Sequence, residues 1–302
     1  MQLWIKRTAL AAGVLAAVIT GSLGAAVLVS DSKMQRTLHI PGHPIALKND
    51  ADSIARGRYL YQTKGCADCH GDDGGGHVFV DDPETGMRVS GANISGSSQS
   101  RVFRYQADDW DRTIRHGVKP DGTPLIFMPS EDFARLSDPD LEDLVAYVRQ
   151  LPAVNTQPAQ WQLPLPVRVL YALGVVQDSA AKIDHSLPPQ PAIPAAVTVK
   201  YGEYLAQGCK GCHGPQLTGG AIPGAPPAWP AAADLTPGEQ SALTHYPDEK
   251  SFRAMLRSGR RPDGSAISNV MPFAALAQMN DTDSAALFLY LKTLPPVVAS
   301  NR

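Results

Sequence analysis

Cys66-Ala67-Asp68-Cys69-His70 and Cys209-Lys210-Gly211-Cys212-His213 contain all four cysteines of the 302-residue chain, and a glycine follows each stretch. Both read C-x-x-C-H. Superposing the first cysteines sets an offset of 143 residues, at which His70 falls on His213, Met128-Pro129 on Met271-Pro272, Asp138 on Asp281, Tyr147 on Tyr290 and Leu151-Pro152 on Leu294-Pro295. The His-to-Met spacing is 58 residues in both halves. Between these anchors Gly117, Pro120, Asp121 and Gly122 match Gly259, Pro262, Asp263 and Gly264 one residue out of step, a loop difference. Upstream, Gly57-Arg58-Tyr59-Leu60 matches Gly202-Glu203-Tyr204-Leu205. The chain is an internal duplication, with one domain over residues 45–151 and a second over 196–298.

Each half predicts three short helices joined by long loops, an all-α fold. The first helix runs into the cysteine pair and the last closes the domain. In the first half Ser137 and Asp138 supply an N-cap, Pro139 suits the first turn, and Leu141, Leu144, Val145 and Val148 recur at helical spacing. The second half repeats this from Asp281 with Leu287, Phe288 and Leu291, and Pro152 and Pro295 end the two helices. Tyr147 and Tyr290 read as core aromatics. Residues 152–195 carry eight prolines and read as a semi-rigid extended linker; within it the apolar stretch from Val167 to Val176 is too short to cross a bilayer and reads as a helical turn or two packed on a domain or against a partner.

Two thiols three residues apart on a helical turn face the same side. They can form thioethers to the two vinyl groups of one porphyrin, and the histidine that follows is then tethered beneath the iron. The second axial position needs a ligand from the opposite face, and Met128 and Met271 are matched to supply a thioether sulfur. Met87, Met255 and Met279 are the alternative thioethers, and His77 and His116 the alternative imidazoles for the first iron. His39, His43, His185 and His245 read as surface or structurally satisfied. A four-cysteine zinc site is disfavoured by the 143-residue separation of the pairs. A thioredoxin-like pair lacks its βαβ context, and disulfides remain open for an exported chain. The expectation is two covalently bound haem c groups: Cys66, Cys69, Cys209 and Cys212 attach them, and His70, Met128, His213 and Met271 ligate the irons.

Residues 8–30 hold no charged side chain and follow Lys6 and Arg7. A run of that length spans a bilayer, and the flanking cations hold the N-terminus in the cytoplasm. Residues 1–31 therefore read as a transmembrane anchor, or an uncleaved signal, in the bacterial inner membrane with both haem domains on the periplasmic side. A cleaved signal peptide is the alternative. The net charge of −2 gives no general attraction to nucleic acid. Residues 45–151 carry 18 acidic against 12 basic side chains, whereas residues 196–298 carry eight of each. The acidic, Gly-rich stretch from Asp72 to Asp109 reads as a solvated loop, and Arg253, Arg257, Arg260 and Arg261 as a helix face or a contact for propionates or an acidic partner.

Cys66 to His70 with Met128, and Cys209 to His213 with Met271, resemble class I cytochrome c domains over nearly all of both halves. The resemblance implies three helices around each haem, covalent attachment at the four cysteines and His/Met ligation. Met128-Pro129 through Asp138-Pro139-Asp140-Leu141, with Leu163-Pro164-Leu165-Pro166-Val167-Arg168, is similar to the cytochrome subunits of membrane-bound alcohol and aldehyde dehydrogenases. Those subunits commonly carry three haems and this chain has two attachment motifs. The expected function is electron transfer, without bond-making by the chain, between a dehydrogenase or reductase and an acceptor such as an oxidase or another cytochrome. A diheme peroxidase and a haem-based sensor are the alternatives.

Overall fold

The computed structural model describes residues 2–156, 158–225 and 228–296. Helix α1 (Gln2–Met34) contains the uncharged run, and the rest of the protein buries none of its most apolar window. The chain then enters the first repeat.

There α2 (Ala51–Thr63) starts on Asp50, whose carboxylate accepts from the Ser53 amide at 2.9 Å. It leads through Gly65, at φ 73°, into the one-turn helix α3 (Cys66–His70). The left-handed glycine separates α2 from this new turn. Helix α4 (Ala107–Ile114), the short α5 (Ser130–Phe133) and α6 (Asp138–Val148) complete the unit. Ser137 caps α6 and Pro139 lies in its first turn; Leu141, Leu144, Val145 and Val148 are all buried, as the helical spacing predicts.

The second repeat follows the same order: α8 (Val199–Leu205), a 3₁₀ turn over Ala206–Cys209, α9 (Lys210–His213), α10 (Glu249–Ser258), α11 (Phe273–Leu276) and α12 (Asp281–Thr293). In each repeat the first helix crosses the last at a glycine. A Cβ on Gly57 would lie 1.8 Å from the Asp143 carbonyl oxygen, and one on Gly202 would lie 2.0 Å from that of Ala286. Both pairs of positions are equivalent in the duplication, so the matched glycines set the helix–helix distance. Tyr147 packs edge-on against Tyr61 at 5.3 Å, and Tyr290 borders the second core.

The fold is mainly helical but not purely so. Strands β1 (Val78–Asp82), β2 (Met87–Ser90) and β3 (Trp161–Gln162) form a small antiparallel sheet in the order β1-β2-β3. Part of the stretch expected as an acidic loop is therefore a hairpin. Val78-Phe79-Val80 favours strand, and Asp82 closes the turn by accepting from the Glu84 amide and from Thr85. Residues 152–195, expected as a linker holding a helical turn or two, have structure of their own. They contribute β3, α7 (Leu165–Ala172) and a 3₁₀ turn over Ser179–Lys182. The Ser179 amide donates to the Leu125 carbonyl at 3.0 Å, so this segment wraps the first repeat.

The two repeats pack together with reciprocal contacts. Tyr59 Oη donates to Asp283 Oδ2 at 2.6 Å and accepts from the Asn280 amide at 3.1 Å. Its counterpart Tyr204 donates to Asp140 Oδ2 at 2.7 Å and accepts from the Ser137 amide at 3.1 Å. Under the 143-residue offset Ser137 is Asn280 and Asp140 is Asp283, so each first helix clasps the N-terminus of the other repeat's last helix. This is an isologous interface inside one chain. One hydrophobic core continues across it, joining Leu60, Leu141 and Val145 to Tyr201, Tyr204 and Ala286.

Candidate haem sites

Cys66, Cys69 and His70 are brought onto the single turn of α3, and Cys209, Cys212 and His213 onto the 3₁₀ turn and α9. None of the cysteines is disulfide-bonded. Burial pushes the Cys66 thiol up to about 12 and those of Cys69 and Cys209 to about 11, which keeps them neutral.

The two histidines are held alike. His70 Nδ1 lies 2.7 Å from the Ala92 carbonyl oxygen, and His213 Nδ1 lies 2.7 Å from that of Ala233. A carbonyl can only accept, so Nδ1 carries the proton and Nε2 keeps its lone pair. Burial lowers both imidazole pKa values, against a smaller opposing effect of the same carbonyl contacts, and so keeps Nε2 free. An imidazole oriented through its second nitrogen by a backbone carbonyl is the usual support of a metal-binding histidine. The loop that provides it is tightly seated: the Gly76 amide donates to the His70 carbonyl at 2.8 Å, and the equivalent Gly219 donates to that of His213 at 2.9 Å. A Cβ on Gly91 would lie 1.8 Å from the Cys69 carbonyl oxygen, which explains the glycine beside Ala92.

Met128 and Met271 also share one local geometry. Pro129 has φ −79° and ψ 62°, and Pro272 has φ −78° and ψ 66°. The methionine carbonyl accepts from the amide two residues on, Ser130 or Phe273, at 2.8 Å in each case. These are inverse γ-turns, made rigid by the fixed proline φ. Met128 and Cys66 border the first core, and Met271 and Cys209 the second. Met255 lies buried in the second core and Met279 packs against it.

The arrangement also joins the two sites. The turn of α5 that follows Met128 packs on the Cys209–His213 segment, where a Cβ on Gly211 would lie 2.6 Å from Asp132 Oδ1. On the other side, Ala275 of α11 lies against Gly65, which precedes Cys66. Each methionine-bearing segment thus abuts the other repeat's cysteine segment. Sequence reading matched Tyr59 with Tyr204 but did not foresee that they cross between repeats, and it gave no signal for Ala92 or Ala233, which act through backbone oxygens.

His116 and the arginine cluster are engaged elsewhere. His116 Nδ1 faces His185 Nδ1 at 3.0 Å. Arg253 and Arg257 each reach Asp281 at 2.7 Å, and Arg260 and Arg261 bond within their own loop, so the arginine cluster is largely internally paired. Among the described residues, no group of three or more His, Cys, Asp and Glu side chains is placed to hold a metal ion. The donor set in each repeat is two thiols, one imidazole nitrogen and one thioether beside an apolar core, and this fits a covalently attached haem.

A sequence model of the family described as Cytochrome c matches residues 54–152 and again 199–295. The fructose dehydrogenase cytochrome subunit of Gluconobacter japonicus is 25% identical, covering 87% of this chain and 57% of that protein. The gluconate 2-dehydrogenase cytochrome c subunit of Pantoea cypripedii is 26% identical, covering 82% of this chain and 60% of its own length. The chain thus spans somewhat over half the length of these dehydrogenase subunits. A diheme cytochrome c-type protein of Cereibacter sphaeroides is 23% identical over 92% of this chain and 98% of its own length.

Proposed function

The chain belongs to the cytochrome c family, and from that premise we propose that it is a membrane-anchored two-haem electron carrier serving a dehydrogenase in the periplasm. Cys66 and Cys69 bind one haem through thioethers, and Cys209 and Cys212 bind the other. His70 and Met128 ligate the first iron through Nε2 and sulfur, and His213 and Met271 the second. When bound, each haem supplies a one-electron iron couple, and His/Met ligation places it at higher potential than bis-histidine ligation. The residues of the chain orient the ring, keep water from it and choose its ligands.

One observation carries this reading: the same C-x-x-C-H turn occurs twice, with Nδ1 of its histidine held 2.7 Å from a backbone carbonyl both times. Service to a dehydrogenase is supported by the names of the relatives, and export by the uncharged run of α1 with Lys6 and Arg7 ahead of it. The acceptor is another redox protein, such as an oxidase.

The test is haem quantified per chain, with optical and magnetic spectra of the purified protein. Two low-spin haems, each with the weak near-infrared sulfur-to-iron band, are expected. One high-spin or bis-histidine haem would overturn the symmetric assignment and favour a peroxidase or a sensor.

A further inference from the structure

A helix on the surface of a water-soluble domain ordinarily turns its polar side outward. Helix α7 turns its apolar side outward. From Trp161 to Gln177 there is one charged side chain, Arg168, and it is paired with Asp31 of α1. Leu165, Leu170, Leu173 and Val175 are 43, 39, 72 and 64% exposed. At roughly 100° per residue Leu165, Leu170 and Leu173 fall on one side of the helix, and Tyr171 falls on the other. Tyr171 is buried, with its hydroxyl on Asp178 at 2.7 Å.

The level at which this face sits is set by α1. Arg168 Nη2 donates to the Val27 carbonyl at 3.3 Å, and Lys33 Nζ donates to the carbonyls of Tyr171 and Ala172 at 3.4 and 2.7 Å. Arg36 then binds Asp178 through both guanidinium nitrogens, at 2.7 and 2.8 Å. Helix α7 is therefore fastened beside residues 27–33, where the uncharged run ends at Ser30 and charge begins at Asp31. A helix rising about 1.5 Å per residue crosses a hydrocarbon core of about 30 Å in some 20 residues, so that end of the run meets the headgroup region.

We infer that α7 and the turn after it form a second membrane contact, with Leu165, Leu170, Leu173 and Val175 seated in the outer-leaflet interface beside the anchor. The occupant is phospholipid, since α7 is fastened beside the last turns of α1, where Leu28 and Val29 are likewise exposed. The inference rests on reading α1 as a membrane anchor. It makes α7 a strut that sets the height and tilt of the haem domains, which a single helix followed by a flexible linker would leave free.

The full haem-loaded chain would be reconstituted in vesicles of phosphatidylcholine and phosphatidylglycerol containing a phospholipid with a diazirine high on its acyl chain. After photolysis, adducts are mapped by peptide mass spectrometry. Adducts are expected within 8–30 and also within 161–177. The variant Leu173→Glu with Val175→Glu is expected to lose the second set while keeping the first and its haem content. Adducts on 8–30 with none on 161–177 would overturn the inference and leave the anchor standing; protection of 161–177 by a co-purifying subunit instead of lipid would overturn it in the same way. Absence of adducts from both segments would remove the anchor reading itself, and the α7 contact with it.

Discussion

Met128 and Met271 are each followed by a proline whose backbone forms the same γ-turn, and a sulfur held on so short a tether has little freedom to move to another ligand position. Replacing Met128 with His should leave that iron low-spin, lower its potential and remove about half of the near-infrared sulfur-to-iron absorbance; Met271→His should remove the other half. A potentiometric titration followed optically checks this, and a variant with unchanged intensity would exclude that methionine as a ligand. Arg115 is a structural counterpart of these site residues. It is 1% exposed, donates through Nε to the Leu136 carbonyl and through Nη1 to Asp111 at 2.8 Å, and meets Asp138 at 2.8 Å. Arg115→Met leaves the carboxylate of Asp111 buried without its cation, and a loss of about 3–5 kcal/mol is expected in chemical denaturation. At this scale the sequence was most informative where chemistry demands a residue type, as with the cysteines, histidines and the Met-Pro pairs. Arg115 stood among ordinary surface-type charges, because burial of an arginine depends on partners from distant segments.

Gly57 and Gly202 show how an element is placed by what a residue lacks. With Cβ positions falling 1.8 and 2.0 Å from carbonyl oxygens of the facing helix, Gly57→Ala or Gly202→Ala must push the two helices apart. Overpacking of this kind costs about 1–3 kcal/mol or more, and thermal unfolding of either variant should show it. The duplication made both glycines visible in the sequence as matched positions, although their reason lies in the crossing. The segment containing α7 was harder to read, since eight prolines between two domains suggest an extended spacer by composition. It is fastened by long-range ion pairs to the foot of α1, which no local pattern announces. Those pairs make a pH prediction. Burial alone would raise the Asp178 pKa, but hydrogen bonds from Arg36 and Tyr171 outweigh it and leave the carboxylate below its ordinary range. A folded-state pKa lower than the unfolded one adds stability above the unfolded value near 4, and this is lost as pH falls through the folded value. Proteolytic nicking between 172 and 196 should accordingly increase below about pH 4. In Asp178→Asn it should be faster at neutral pH and depend less on acid.

The molecule as a whole is organised by the pseudo-twofold clasp. Duplication leaves two copies of the same surface on one chain, and a self-complementary patch can then close on its own copy without a second molecule. Tyr59 and Tyr204 do this by supplying both a donor and an acceptor to the opposing helix start, where amide hydrogens lack intrahelical partners. An offset of 143 residues aligns both caps in the sequence, and an offset of 145 aligns both tyrosines. Whether they paired within a repeat or between repeats was invisible, because either choice satisfies the same groups. Pairing between repeats brings each Met-bearing turn onto the other cysteine segment, so the two candidate sites adjoin. The first core also spans both repeats, so they should unfold together. Removing one tyrosine hydroxyl takes one partner from an aspartate, which keeps Tyr201 or Arg56 on its other oxygen, and leaves an amide without its acceptor, at a cost of about 1–3 kcal/mol. By the equivalence of the two contacts, Tyr59→Phe and Tyr204→Phe should lower stability by similar amounts. Each kcal/mol corresponds to roughly 2–4 °C for a protein of this size class. The haem-loaded protein and both variants should each show a single thermal transition, coincident in far-ultraviolet circular dichroism and Soret absorbance. Two well-separated transitions in the unmodified protein, with only one moved by Tyr204→Phe, would mean that the repeats are independent domains and that the clasp contributes little to their coupling.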